Sequence, residues 1–311
     1  MNTSLVRKSV LLALILLGLV GLLLLQQPQL RFWQKADAAP VYGQLTADQV
    51  TKIAFTKEET TELVKNGSSW QVGEFRANPA LVDRCVTTLL ALNKMTPVSH
   101  NIDKFARYGV AENSLNVQLW AGNSQQPRLI LGKAGPTYGT TYFEVEGESA
   151  VFLAPHNLQT ECSPTDWRDL TIFAFEGPQI TTYQVTAPGK NYTLQKTDSG
   201  WQAADSPSTQ LKTQEITSIL YAFAQLKAKD LQLIPTEGDS FTSQSTITAT
   251  TESGQTYRLE IGAPFTKEEG SDYPARKEGD TQNAWVLSSY SVQDLTPNLE
   301  RLQPSEESPS N

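Results

Sequence analysis

"SSWQVGEFRANPALVDRCVTTLLAL", Ser68 to Leu92, decides the fold, because the chain writes it again as "SGWQAADSPSTQLKTQEITSILYAF", Ser199 to Phe223. Each stretch has a small residue, Trp-Gln, a short polar connection, then apolar residues at helical spacing. Trp70 and Trp201 stand 131 positions apart. Leu81, Cys85, Leu89 and Leu92 share one helical face in the first copy; Ile216, Ile219, Leu220, Phe223 and Leu226 do so in the second. Asn78-Pro79 supplies a cap and a first-turn proline, and Thr213 with Gln214 and Glu215 opens the second helix.

The offset persists beyond the helices. "PRLILGKA" (Pro127 to Ala134) aligns with "YRLEIGAP" (Tyr257 to Pro264), so Leu131-Gly132 meets Ile261-Gly262. Val151-Phe152-Leu153 meets Trp285-Val286-Leu287. Two short alternating runs precede each Trp: "KIAFT" and "TELVK" in one copy, "ITTYQVT" and "NYTLQK" in the other, with Gly67 and Gly189 as turn residues. Strand candidates after the first helix are "LNVQLWA", "RLILG", "TYFEVE" and "AVFLA". Those after the second are "STITATT", "TYRLEIG", "DYPARK" and "NAWVLS". Hairpin-like gaps such as "AGNSQQ" and "ESGQ" predict antiparallel pairing. One amphipathic helix on such a sheet is an α+β layer pair. The recurring Trp reads as an apolar plug between sheet and helix, its indole N–H partnered; a ligand-stacking ring is the functional alternative.

The N-terminus reads differently. "VLLALILLGLVGLLLL", Val10 to Leu25, is continuous apolar sequence behind Arg7 and Lys8. As a helix it measures about 24 Å, close to a hydrocarbon core of ~30 Å. Basic residues before the run predict an N-terminus inside and the rest translocated. A cleaved signal peptide is the rival reading, but Ala36-Asp37-Ala38 lies too far past Leu25 for a normal cleavage site. The expected fold class is therefore α+β, an N-terminal transmembrane helix followed by two tandem β-rich repeats, each an antiparallel sheet on one main helix. The expected divisions are an anchor at 1–30, a first repeat at 44–165, a junction at 166–178, a second repeat at 179–302 and a disordered tail at 303–311.

Several segments of this pattern resemble the domain of unknown function 4340 family. They are the helix entry "SSWQV…NPALVDRCVTTLLAL", "VSHNIDKFARYGVAE" (Val98 to Glu112), "LILGKA", "TYFEVEG…AVFLAP" and "DWRDLTIF" (Asp166 to Phe173). The resemblance covers most of Ile53 to Leu295. It implies a bacterial envelope protein with an N-terminal anchor in the inner membrane, a companion of gliding-motility-type ABC transport systems. It carries over no active site.

Composition narrows the function further. The formal charge is −8, and the chain lacks the clustered Lys and Arg that phosphate binding needs, which excludes nucleic acid as a partner. The two histidines, His100 and His156, stand alone beside Asn residues, without the ordered spacing of a zinc site. Neither phosphate-loop nor serine-nucleophile motifs occur. No catalytic, metal or cofactor residues are assigned. The most site-like cluster is Trp167, Arg168 and Asp169: Arg168 could clamp a carboxylate in two-pronged fashion, or the cluster could lock the junction through an internal ion pair. Cys85 sits on the apolar helix face and Cys162 at the end of the first repeat, close to the junction; in an oxidising compartment they could pair. The resulting expectation is a non-catalytic, membrane-anchored interaction protein holding an envelope partner such as an ABC permease. The alternative is an extracytoplasmic peptide- or glycan-binding module using Trp120, Tyr138, Tyr142 and Trp285 around a cleft between the copies.

Overall fold

The computed structural model describes residues 39–94, 97–111, 113–164, 166–207, 211–234, 241–265 and 271–304. The expected anchor at 1–30 and residues 305–311 of the expected tail lie outside the described residues. Among the described residues no helix is long and apolar enough to cross a membrane. The chain divides into two compact units, Met1–Trp167 and Arg168–Asn311.

The first unit begins with a two-residue pairing of Ala39–Pro40 with Asn93–Lys94. Its elements are β1 (Val50–Thr56), β2 (Thr60–Asn66), β3 (Ser69–Val72), β4 (Phe75–Arg76), α1 (Pro79–Leu90), α2 (Phe105–Tyr108), β5 (Leu115–Ala121), β6 (Ser124–Gln125), β7 (Leu129–Ala134), β8 (Thr141–Val145), β9 (Val151–Ala154) and α3 (Leu158–Cys162). They build one antiparallel sheet in the order β9-β8-β7-β5-β1-β2-β3-β4, with β6 paired to β5. Alternate residues of the central strands, such as Thr141, Phe143 and Val145, are buried, as expected when one face of a sheet is covered. Helix α1 contributes to the same core. Asn78 caps it by accepting from the backbone N–H groups of Ala80 and Leu81 at 3.1 and 3.2 Å. The buried stripe is Val82, Cys85, Val86 and Leu89. This rotates the expected face: Leu81 is only half-buried, and Leu92 is buried just beyond the helix end.

The second unit contains β10 (Ile180–Ala187), β11 (Lys190–Thr197), β12 (Gly200–Ala203), α4 (Thr213–Ala224), β13 (Asp230–Leu233), β14 (Ser243–Thr251), β15 (Thr256–Gly262), β16 (Asp272–Lys277), β17 (Asn283–Ser288) and α5 (Ser289–Leu295). The sheet order is β12-β11-β10-β14-β15-β16-β17-β13. Helix α4 starts at Thr213, but its cap position is Lys212, whose side chain makes no capping bond. It buries Ile216, Ile219, Leu220 and Phe223, the expected face. Each such side chain contributes roughly 1.5–3 kcal/mol of transfer free energy.

The two sheets share more than strand order. A register shift falls between Val50 and Lys52 on β1, and another between Ile180 and Thr182 on β10. Each strand follows a 3₁₀ turn, Ala47–Gln49 in one unit and Gly177–Gln179 in the other. Trp70 lies opposite Lys65 across β2 and β3, and Trp201 lies opposite Lys196 across β11 and β12. The second sheet also has β13 at its edge, a strand absent from the sequence reading.

Residues 170–175, expected as junction, are built into the second unit. The N–H groups of Ile172 and Phe173 both donate to Leu226 O, and that of Phe175 donates to Ala224 O. These bonds occupy carbonyls at and just beyond the C-terminus of α4, which the helix itself leaves unpaired. Phe173 and Phe175 join Phe223 and Tyr257 in an aromatic cluster, Phe175 stacking on Tyr257 at 3.9 Å.

Candidate functional site

Trp167, Arg168 and Asp169 each make contacts of their own. Trp167 belongs to the core of the first unit, stacked on Phe55 at 4.9 Å. Its carbonyl accepts from the N–H of Asn78 at 2.8 Å. Arg168 opens the second unit. Its guanidinium donates to Leu231 O at 2.6 Å and to Asp230 Oδ1 at 2.7 Å. The same carboxylate oxygen accepts from the Leu231 N–H at 2.8 Å. Asp169 Oδ1 accepts from the N–H of Thr171 at 3.3 Å. Arg168 is thus bound to the end of β13, and its fork is occupied by the protein's own groups.

Cys85 and Cys162 form a disulfide, with their Cα atoms 4.9 Å apart. It links the middle of α1 to the end of α3, and both residues are fully buried. Arg84 and Glu161 add an ion pair at 3.5 Å beside it. In the second unit the helix after the last strand-pair, α5, is held differently. The Tyr183 hydroxyl donates to Leu295 O at 2.8 Å, and the Tyr192 hydroxyl donates to Pro297 O at 2.9 Å. Lys190 Nζ donates to Thr296 O. Burial pushes both phenols well above their ordinary pKa, and for Tyr183 the neighbouring Tyr192 adds to the shift. Both therefore remain neutral donors. Burial lowers the Lys190 pKa.

Opposite each recurring Trp in the strand pair stands a lysine that the sequence reading passed over. Lys65 Nζ lies 5.9 Å from the Trp70 ring centroid and donates to Asp48 O at 3.1 Å. Lys196 Nζ donates to Pro178 O at 3.3 Å and pairs with Glu252 at 3.0 Å. Both lysines tie the Trp-bearing hairpin to the preceding 3₁₀ turn. Trp70 is buried, as a plug should be, whereas Trp201 is half-exposed. The alignment of Lys with Trp is visible as "VKNGSSW" and "LQKTDSGW", each Lys five residues before its Trp.

The first unit contains a hollow of about 430 Å³. The tip of the β1–β2 hairpin, the start of β5, β7 and the segment after α3 form its walls. Phe55, Leu131 and Trp167 contribute apolar wall, while Lys57, Glu59 and Lys133 bring charge. Two glycines make this wall possible. Gly109, at φ +74°, ends α2, and a Cβ there would sit 2.8 Å from Lys133 N. A Cβ on Gly132 would sit 2.3 Å from Tyr108 O. The interlock seats α2 against β7, and Gln159 Nε2 donates to Gly132 O at 2.8 Å to bring α3 alongside.

The other residues singled out in the sequence lie elsewhere. His100 is exposed, with Nδ1 3.3 Å from Ser149 O. Tyr142 packs edge-on against Tyr108 at 4.9 Å, Lys52 sits 4.9 Å over Trp120, and Tyr138 is fully exposed. Trp285 is buried, and its indole N–H has no partner among the described residues. Among the described residues no group of three or more His, Cys, Asp or Glu is placed to hold a metal.

A family model described as a domain of unknown function (DUF4340) matches residues 70–242, more than half of the chain. The chain belongs to this family. No curated protein matches it. The DUF4340 match begins at Trp70 and runs through the disulfide, the Gly109–Gly132 interlock, the Arg168 pair and helix α4. The family's description names no activity, so membership locates the chain among relatives without assigning chemistry.

Proposed function

We propose that this DUF4340 protein is a non-catalytic, membrane-anchored interaction protein of the bacterial envelope. In this reading the N-terminal helix stays in the inner membrane with its N-terminus cytoplasmic, and both units are extracytoplasmic. They are two copies of one α+β module that hold an envelope protein, an ABC permease of the gliding-motility type being the expected partner. The observation that carries the reading is the buried Cys85–Cys162 disulfide, since disulfides persist in oxidising compartments and are rare in the cytosol. The module copies are supported by the common strand order, the common register shift and the repeated bond from the lysine opposite the Trp to the preceding turn. A non-catalytic role is supported by the commitment of the most site-like charged group, Arg168, to Asp230 and Leu231. Crosslinking in native membranes followed by pull-down should recover one reproducible membrane protein. Recovery of this protein alone would refute the proposal.

A further inference from the structure

The hollow of the first unit lies where the second unit is filled by its own side chains. Strand register makes the comparison concrete. Phe55 pairs with Thr61 across β1 and β2, and Val185 pairs with Tyr192 across β10 and β11. Counting from the matched register shifts, Thr61 stands where Tyr192 stands. Tyr192 reaches the carbonyl just beyond α5, and Lys190 at the same hairpin reaches the carbonyl beside it. Thr61 is too short for that reach, and the space it leaves adjoins Cys162, Ser163 and Pro164 at the end of α3.

The groups around this space indicate what fits it. Lys57 and Lys133 have no ion pair among the described residues, while Lys52, Lys94, Lys196 and Lys229 all contact carboxylates. Two unpaired cations face one carboxylate, Glu59, in a chain whose net charge is −8. Phe55 and Trp167 are stacked on each other and buried, so they offer an apolar wall rather than a free ring face for a sugar. The volume of about 430 Å³ is within the range of pockets that take small ligands or a few side chains. A carboxylate on an apolar body satisfies both lysines and the wall.

We infer that this hollow is the docking site for a carboxylate-bearing peptide segment of the partner protein, with Lys57 and Lys133 as the groups that recognise its charge. The inference rests on the reading of the chain as an interaction protein and adds the surface and the chemistry of the contact. In the second unit Lys190 and Tyr192 stand at the matching hairpin and are bonded to Thr296 O and Pro297 O, so the inference concerns the first unit alone.

The test uses the full-length protein in its native membrane with a photoreactive side chain at the exposed rim position Asn113. Mass spectrometry should find it linked to a protein segment with Asp, Glu or a chain-terminal carboxylate within a few residues of the link. Lys57→Gln with Lys133→Gln should lower the yield roughly tenfold, the size expected for losing a charge-assisted contact. Thr61→Tyr, which copies the second unit's filling, should do the same while leaving the thermal midpoint unchanged. Links to lipid, to a segment without carboxylates, or in yields indifferent to all three substitutions would overturn the inference. So would no link at Asn113 while pull-down still recovers a partner, an outcome that leaves the interaction reading standing. Failure of both experiments overturns both.

Discussion

The two units solve one packing problem in two ways. In each, a helix follows the last hairpin and must be fixed beside the main helix. The first unit does this covalently, Cys85 on α1 bonded to Cys162 on α3. The second does it with hydrogen bonds, Tyr183, Tyr192 and Lys190 donating to three successive carbonyls at the end of α5. Large donors fill the space they bridge, whereas a disulfide leaves the neighbouring space open. The difference teaches that a covalent tie can free a surface that polar side chains would otherwise occupy.

The largest effect should come from breaking the covalent tie. The cysteines are separated by 77 positions, and a loop of that length implies roughly 4 kcal/mol of stabilisation. Cys85→Ala with Cys162→Ala, or reduction, should lower the unfolding free energy of the first unit by about that amount, seen as a lower denaturant midpoint, and leave the second unchanged. Next is Tyr183→Phe, which strands a buried carbonyl and should cost the second unit about 2 kcal/mol. Tyr192→Phe should cost about 1 kcal/mol. Urea unfolding followed separately through probes in the two units would sort these.

A smaller contrast lies at the main helices. Asn78→Ala removes a capping side chain and should cost about 1 kcal/mol. Lys212→Ala, at the uncapped counterpart, should stay within roughly 0.5 kcal/mol of the parent. Equal losses at the two positions would erase the distinction between the caps.

The last contrast is with pH. The folded phenols of Tyr183 and Tyr192 keep their protons above the ordinary value of 10.0. Their contribution is whole below that value and is lost as pH climbs through it, because the unfolded phenols ionise first. Lys190, lowered by burial from 10.5, acts in the opposite sense: its gain accrues as pH rises from its lowered value to 10.5 and is complete above that. Tyr42 of the first unit, also raised by burial, adds a loss of its own there. Tyr183→Phe with Tyr192→Phe should therefore flatten the fall in stability of the second unit between about pH 10 and 11. An unchanged slope would remove the phenols from the account.

Much of the architecture was legible because it is local. The stripe Ile216, Ile219, Leu220 and Phe223 is buried as its spacing predicts, and Asn78-Pro79 starts its helix. The first helix was legible only in part. Its apolar residues crowd more than one face, and Val82 and Val86 displace Leu81 from the core. Edge strand β13 escaped because Asp230–Leu233 is only 4 residues long, too short for its alternation to stand out, and is mostly outside the core. The tyrosine bonds join residues more than 100 positions apart, and no periodicity encodes such a contact. The hollow was illegible for a related reason. It is a space defined by what Thr61 does not reach, and only the filled counterpart at Tyr192 makes that apparent.

The most direct test is the redox state of Cys85 and Cys162 in protein taken from native membranes under thiol-trapping conditions. Intact mass spectrometry should show no alkylation before reduction and two additions after it. Two alkylated cysteines in the unreduced protein would contradict both the covalent tie and the extracytoplasmic placement built on it.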